Sequence, residues 1–215
     1  MGMAYDLQEQ EQLATFKAWW DKYGNFILTV VTLVLFAFAA YNGWRWYERN
    51  QASQAAAVYE QFLKALAARD AARTKELAGT IIEQYGRTVY APMAALNAAK
   101  AYHEAGDLNA AKAQLVWVIE KSGRAEFAPI ARVRLAGVLL DEKAYDEALK
   151  TLSGDVPGAH AAAFADRRGD ILVAQNRIEE ARAAYREALA KADAQHPLRA
   201  LIQLKLDALP APLAS

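Results

Sequence analysis

Three histidines, His103, His160 and His196, are the side chains best suited to proton transfer or metal binding, and they stand far apart in sequence. His103-Glu104 lacks the second histidine that a helix-borne zinc-protease motif places one turn on. No glycine-rich loop ends in Gly-Lys-Ser/Thr to cradle a phosphate, and no Gly-x-Ser-x-Gly elbow presents a nucleophile. The chain contains no cysteine, which removes thiolate zinc sites, thiol nucleophiles and disulfides. Arg168-Gly169-Asp170 reads as a helix-packing glycine rather than an adhesion tripeptide. The acid pairs Asp146-Glu147 and Glu179-Glu180 read as charges favoured in the first turn of a helix. The expectation is a protein that is not an enzyme, with no cofactor and no metal.

Charge gives no direction either. Lys plus Arg and Asp plus Glu number 25 each, so no basic field invites nucleic acid. Abundant alanine, with 11 Gly and 6 Pro in 215 residues, favours closely packed helices.

No charged residue lies between Lys22 and Arg45. An apolar run of about 20 residues suffices to cross a hydrocarbon core of roughly 30 Å as a helix. Trp19, Trp20 and Tyr23 stand at one end; Tyr41, Trp44, Trp46 and Tyr47 stand at the other. These are positions where amphipathic rings favour the headgroup region. A cleaved signal peptide is the rival, since Ala37-Phe38-Ala39 fits a cleavage pattern. The long acidic lead before the run and the second aromatic girdle after it argue for retention. Lys17 and Lys22 on one side balance Arg45 and Arg49 on the other, so charge leaves the orientation open. Within the run, Thr29, Thr32, Phe36, Ala39 and Gly43 share one helical face. Ala39 and Gly43 make a small-xxx-small pair that admits a neighbouring membrane helix.

Behind the run, helical periodicity is continuous and punctuated by short breaks. Ala78, Ala111, Ala148 and Ala181 align as the small residue in the second helix of successive pairs, 33, 37 and 33 residues apart. Tetratricopeptide repeats have a period of about 34. Gly106, Lys143 and Asn176 fall at the turns, where a left-handed residue is wanted. Pro92 and Pro129 open two equivalent helices, where proline is tolerated. The earliest unit, Val58 to Tyr85, departs most from the pattern. The expected class is all-α: one N-terminal transmembrane helix followed by a tetratricopeptide-repeat-like α-solenoid. The expected layout is an N-terminal segment (1–22), the span (23–47), a helical lead-out (48–57), the repeat domain (58–209) and a tail (210–215). Solenoids of this kind act through a concave surface. The repeat register puts Met93, Asn97, Lys100, His103, Arg134, Arg167 and Asp170 on it, a mixed lining suited to an extended peptide or partner segment.

The order of motifs also carries a resemblance. Lys17-Ala18-Trp19-Trp20-x-x-Tyr23-Gly24-Asn25 precedes the run, and Gly43-Trp44-Arg45-Trp46-Tyr47 follows it. Later come Tyr90-Ala91 with Ala94-Ala95-Leu96, then Ala131-Arg132-Val133-Arg134-Leu135-Ala136, Tyr145-Asp146-Glu147-Ala148-Leu149 and Arg168-Gly169-Asp170-Ile171-Leu172. Together these resemble the YfgM-like family, ancillary subunits of the bacterial Sec translocon. The resemblance implies a bacterial inner-membrane protein with a cytoplasmic N-terminus and a periplasmic repeat domain. It further implies association with the SecYEG translocon, with a membrane-anchored prolyl-isomerase-like periplasmic chaperone and with translocated client proteins. The implied role is a non-enzymatic scaffold or chaperone accessory. A scaffold for envelope assembly, in cytochrome maturation or cell-wall synthesis, is the alternative.

Overall fold

A computed structural model of the chain describes residues 3–156 and 158–210, with side chains described from residue 11 onward. The expected tail is therefore outside the described residues apart from Pro210. Among the described residues every regular element is helical. The chain forms two compact units, one ending at Gln51 and one beginning at Ala52.

The first unit is carried by the helix α1 (Met3–Ala67), whose residues from Ala52 onward belong to the second unit. Its apolar stretch is long enough to cross a membrane, with a mean hydropathy of 2.0. Large apolar side chains there are exposed, among them Phe26, Leu33 and Phe36. Thr29 Oγ1 donates to the Asn25 carbonyl at 2.7 Å, so its hydroxyl is satisfied within the helix. Thr32, Phe36, Ala39 and Gly43 are exposed as well. At the ends, Trp19 packs on Tyr23 with ring centroids 5.9 Å apart, and Trp44 on Tyr47 at 6.2 Å.

In the second unit the end of α1 is followed by α2 (Ala71–Tyr85), α3 (Tyr90–Glu104), α4 (Leu108–Glu120), α5 (Ala128–Asp141), α6 (Tyr145–Thr151), α7 (Ala161–Ala174), α8 (Ile178–Lys191) and α9 (Arg199–Asp207). Single-turn 3₁₀ segments precede α5 and α7. Four helical hairpins repeat one turn. Arg69, Gly106, Lys143 and Asn176 all have positive φ, at 55°, 80°, 61° and 58°. After each, the next backbone N–H reaches back to a carbonyl of the preceding helix: Asp70 to Ala65, Asp107 to Tyr102, Ala144 to Leu139 and Arg177 to Leu172, at 2.8–3.0 Å. Such bonds satisfy the carbonyls left open at a helix end. Asp70 and Asp107 then cap the following helices through their side chains.

This turn corrects the repeat register. Five residues beyond each left-handed position stand Thr74, Ala111, Ala148 and Ala181, all buried. The equivalent of the small alanine in the first repeat is thus Thr74, one helical turn before Ala78. The spacing of the turns is 37, 37 and 33 residues. Ala78 is also buried, and its small side chain 33 residues before Ala111 fits the repeat spacing.

The core follows the chain as three successive apolar clusters. One joins Tyr59 and Phe62 to α2 and α3; a second links α3 through α7; a third joins α7, α8 and Ile202 of α9. Such nearest-neighbour burial is what a stack of hairpins requires, because no hairpin covers its own apolar stripe. Small residues set the spacing between helices. Ala91, Ala94, Ala95 and Ala98 of α3 are completely buried.

Candidate functional site

The first helices of three consecutive hairpins, α3, α5 and α7, line one side of the repeat unit. Between them lies a pocket of about 380 Å³. Lys100 and His103 enter it from α3, Arg134 and Asp141 from α5, and Arg167 from α7. Ala99, Leu115, Gly137 and Val138 supply its apolar and backbone surface.

Each polar group is held differently. Arg134 donates Nη1 to the Leu96 carbonyl at 2.9 Å, tying α5 to α3. Burial pushes its guanidinium below the usual arginine range. His103 Nε2 lies 2.5 Å from Asp141 Oδ2. Lys100 reaches Glu104 at 3.7 Å, with both side chains well exposed. Arg167 lies 3.3 Å from Asp170 Oδ2, and its Nε is buried without a hydrogen-bond partner. Its guanidinium rests over Gly137, where a β-carbon would stand 3.5 Å from Cζ.

Four of the residues placed on the concave surface from sequence, Lys100, His103, Arg134 and Arg167, thus line one pocket. The other three lie apart from it. Asn97 donates to Tyr59 Oη at 3.1 Å and to the Met93 carbonyl at 2.9 Å. Met93 packs against the cluster around Tyr59 and Phe62. Asp170 faces α8 and α9, accepting from Tyr185 Oη at 2.8 Å and pairing with Lys205 at 2.7 Å. Lys205 also binds Asp166, whose carboxyl burial pushes up against the pull of that ammonium. Asp141 and Gly137 were not anticipated. Their spacing from Arg134 along α5 was visible, but the α3 and α7 side chains that meet them come from 30 or more residues away in sequence.

Elsewhere, Arg132 of α5 donates to the carbonyls of Thr151 at 2.9 Å and Asp155 at 3.1 Å, and also to Ser153. Its guanidinium lies 4.9 Å from the Phe164 ring centre. His196 Nδ1 accepts from the Leu198 backbone N–H at 3.2 Å, and His160 stands at the start of α7. Among the described residues, no three His, Asp or Glu side chains gather as a metal site would require.

A stack of helical hairpins with a polar cleft defines a helical-repeat protein, in a chain that also carries one helix long and apolar enough to cross a membrane. The tetratricopeptide repeat-like domain family matches residues 17–211. An ancillary SecYEG translocon subunit of Neisseria gonorrhoeae is 30% identical over 96% of this chain and 100% of its own length. The subunits so named in Aggregatibacter actinomycetemcomitans and Escherichia coli are 28% and 26% identical, over 96% and 94% of this chain and 100% and 96% of theirs. The chain belongs to the family of ancillary SecYEG translocon subunits.

Proposed function

We propose that this chain is a single-pass protein of the bacterial inner membrane that works as a non-enzymatic scaffold at the SecYEG translocon. The observation that carries this reading is the likeness to ancillary SecYEG translocon subunits across the apolar helix and the repeats together. In this reading residues 1–22 are cytoplasmic, 23–47 span the membrane, 48–57 lead out, 58–209 form the periplasmic repeat domain and 210–215 are its tail. Lipid contacts the exposed apolar side chains of the span. The Thr29, Thr32, Phe36, Ala39 and Gly43 face docks against a neighbouring membrane helix. The cleft between α3, α5 and α7 takes an extended segment of a translocated protein or of a partner. The domain thereby links emerging clients to a membrane-anchored prolyl-isomerase-like chaperone.

The test is affinity purification of the tagged chain from gently solubilised membranes, read by mass spectrometry. SecY and a membrane-anchored periplasmic chaperone are expected. Recovery of a cell-wall or cytochrome-maturation complex without SecY overturns the translocon reading. Orientation has its own test because the chain lacks cysteine. Asn109→Cys, at an exposed site on α4, is expected to react with a membrane-impermeant maleimide in intact spheroplasts. Labelling only after lysis places the domain in the cytoplasm.

A further inference from the structure

The apolar side of α1 does not stop where the uncharged run begins. Leu13, Phe16, Trp20 and Tyr23 follow one another at three- and four-residue steps, and the same steps lead on to Ile27, Val30 and Val34. Residues so spaced lie along one side of a helix. Leu13, Phe16, Trp20 and Tyr23 are all exposed, Phe16 at 60%. Phe16 stacks on Trp20 with ring centroids 6.3 Å apart. Trp19 joins them from the flank, 6.0 Å from Phe16 and 6.4 Å from Trp20. Glu11, Asp21 and Lys22 stand on the opposite side of the same turns, which further along α1 carries Thr29, Thr32, Phe36, Ala39 and Gly43. The aromatic stripe therefore points away from the face read as docking a neighbouring helix.

Phe16 stands ten residues before Phe26, about 15 Å along the helix axis. An upright helix would carry it beyond a headgroup layer of about 5–7 Å on each side. Membrane helices tilt by up to about 40°, and a helix tipped toward its stripe turns that stripe down onto the lipid surface. Trp, Tyr and Phe opposite a polar face suit the headgroup layer. Glu11 and Asp21 cancel Lys17 and Lys22, so lipid charge has no part in the attraction. We infer that α1 crosses the bilayer tilted toward this stripe, with Phe16, Trp19, Trp20 and Tyr23 bedded in the headgroup layer ahead of the span. The partner of the stripe is the lipid surface, and its bedding fixes the rotation of the span. The inference rests on the reading of residues 23–47 as that span.

The test uses the full chain in nanodiscs of neutral phosphatidylcholine, where both sides are open to solvent. Single cysteines carry an environment-sensitive fluorophore: Gln12→Cys beside the stripe, Ala14→Cys on the polar side and Leu33→Cys within the span. A nitroxide on the lipid headgroup is expected to quench the label at residue 12 at least twofold more than that at 14, and iodide in the water to do the reverse. The difference is expected to vanish when Phe16→Ser and Trp20→Ser are combined, and to withstand about 0.5 M salt. The comparison of residues 12 and 14 stands without the double variant should that fail to insert. Equal quenching of both labels overturns the tilted helix, as does a difference that survives the double substitution. A label at residue 12 shielded from iodide yet untouched by the lipid nitroxide also overturns it, since a protein, a second copy included, then covers the stripe. Residue 33 separates the two readings. Quenching there by a nitroxide deep in the acyl chains, with 12 and 14 alike, leaves the span standing; its absence overturns the span as well.

Discussion

The ring of Tyr185 on α8 lies directly on the backbone of Gly169 on α7. A β-carbon at residue 169 would stand 2.6 Å from Cδ1 and 2.8 Å from Cζ. Tyr185 and Gly169 are both buried, so the ring has nowhere to retreat. Gly169→Ala is expected to destabilise the repeat domain by about 2 kcal/mol, lowering Tm by about 4–8 °C. Gly137→Ala is the contrast. Its nearest neighbour would be 3.5 Å away, an ordinary contact, and the gain in helix propensity of about 0.5–1 kcal/mol should show as a rise in Tm. Circular dichroism melts of the full chain in detergent check both.

The same tyrosine makes alkaline stability a readout of the α7–α8 contact. Burial, reinforced by the neighbouring Asp170 carboxylate, raises the Tyr185 phenol well above its usual range. The folded state therefore keeps a proton that the unfolded chain releases near pH 10. This contribution is complete below about pH 10 and falls as pH rises beyond it, by up to about 1.4 kcal/mol per pH unit. Tyr185→Phe is expected to be less stable at pH 7 by about 1 kcal/mol, through loss of the bond to Asp170. Its stability should decline less steeply between pH 10 and 12 than that of the wild type. Parallel slopes in urea titrations would refute the assignment.

Lys143 occupies a left-handed turn with φ of 61° where the preceding hairpin has Gly106 at 80°. A side chain in this region costs about 1–2 kcal/mol, partly offset by the unfolded-state freedom that glycine adds. Lys143→Gly is expected to stabilise the domain by about 0.5–1 kcal/mol, and Gly106→Ala to destabilise it by a similar amount. Chemical denaturation separates the two directions.

Arg132 gathers the carbonyl of the last residue of the short helix α6, Thr151, and those of Ser153 and Asp155 beyond it. Arg132→Leu keeps apolar contact toward Phe164 and strips those carbonyls of their donors. Limited proteolysis is expected to cut residues 152–156 several-fold faster in the variant, with cleavage elsewhere unchanged.

Breakers and small residues made three hairpins legible in sequence. Gly106 and Asn176 announce a left-handed turn, and Ala111, Ala148 and Ala181 follow each turn at a fixed distance. The first hairpin concealed itself because Arg69 stands at the turn and Thr74 at the small position, residue types that signal neither role. Ala78, one turn along the same helix face, offered a better chemical match and shifted the register by four residues. For the cleft, repeat spacing was enough to bring Lys100, His103, Arg134 and Arg167 to one side. The tie from Arg134 to the Leu96 carbonyl and the Asp141 partner of His103 depend on how adjacent helices nest, which no local pattern encodes.

The seven-residue helix α6 is half the length of α5 and α7, its sequence neighbours among the α-helices. Its far end is secured by a guanidinium from α5 rather than by further turns of its own. The third hairpin is thus closed by a side chain of its own first helix, so α5 and α6 are joined by polar bonds as well as by the apolar core they share.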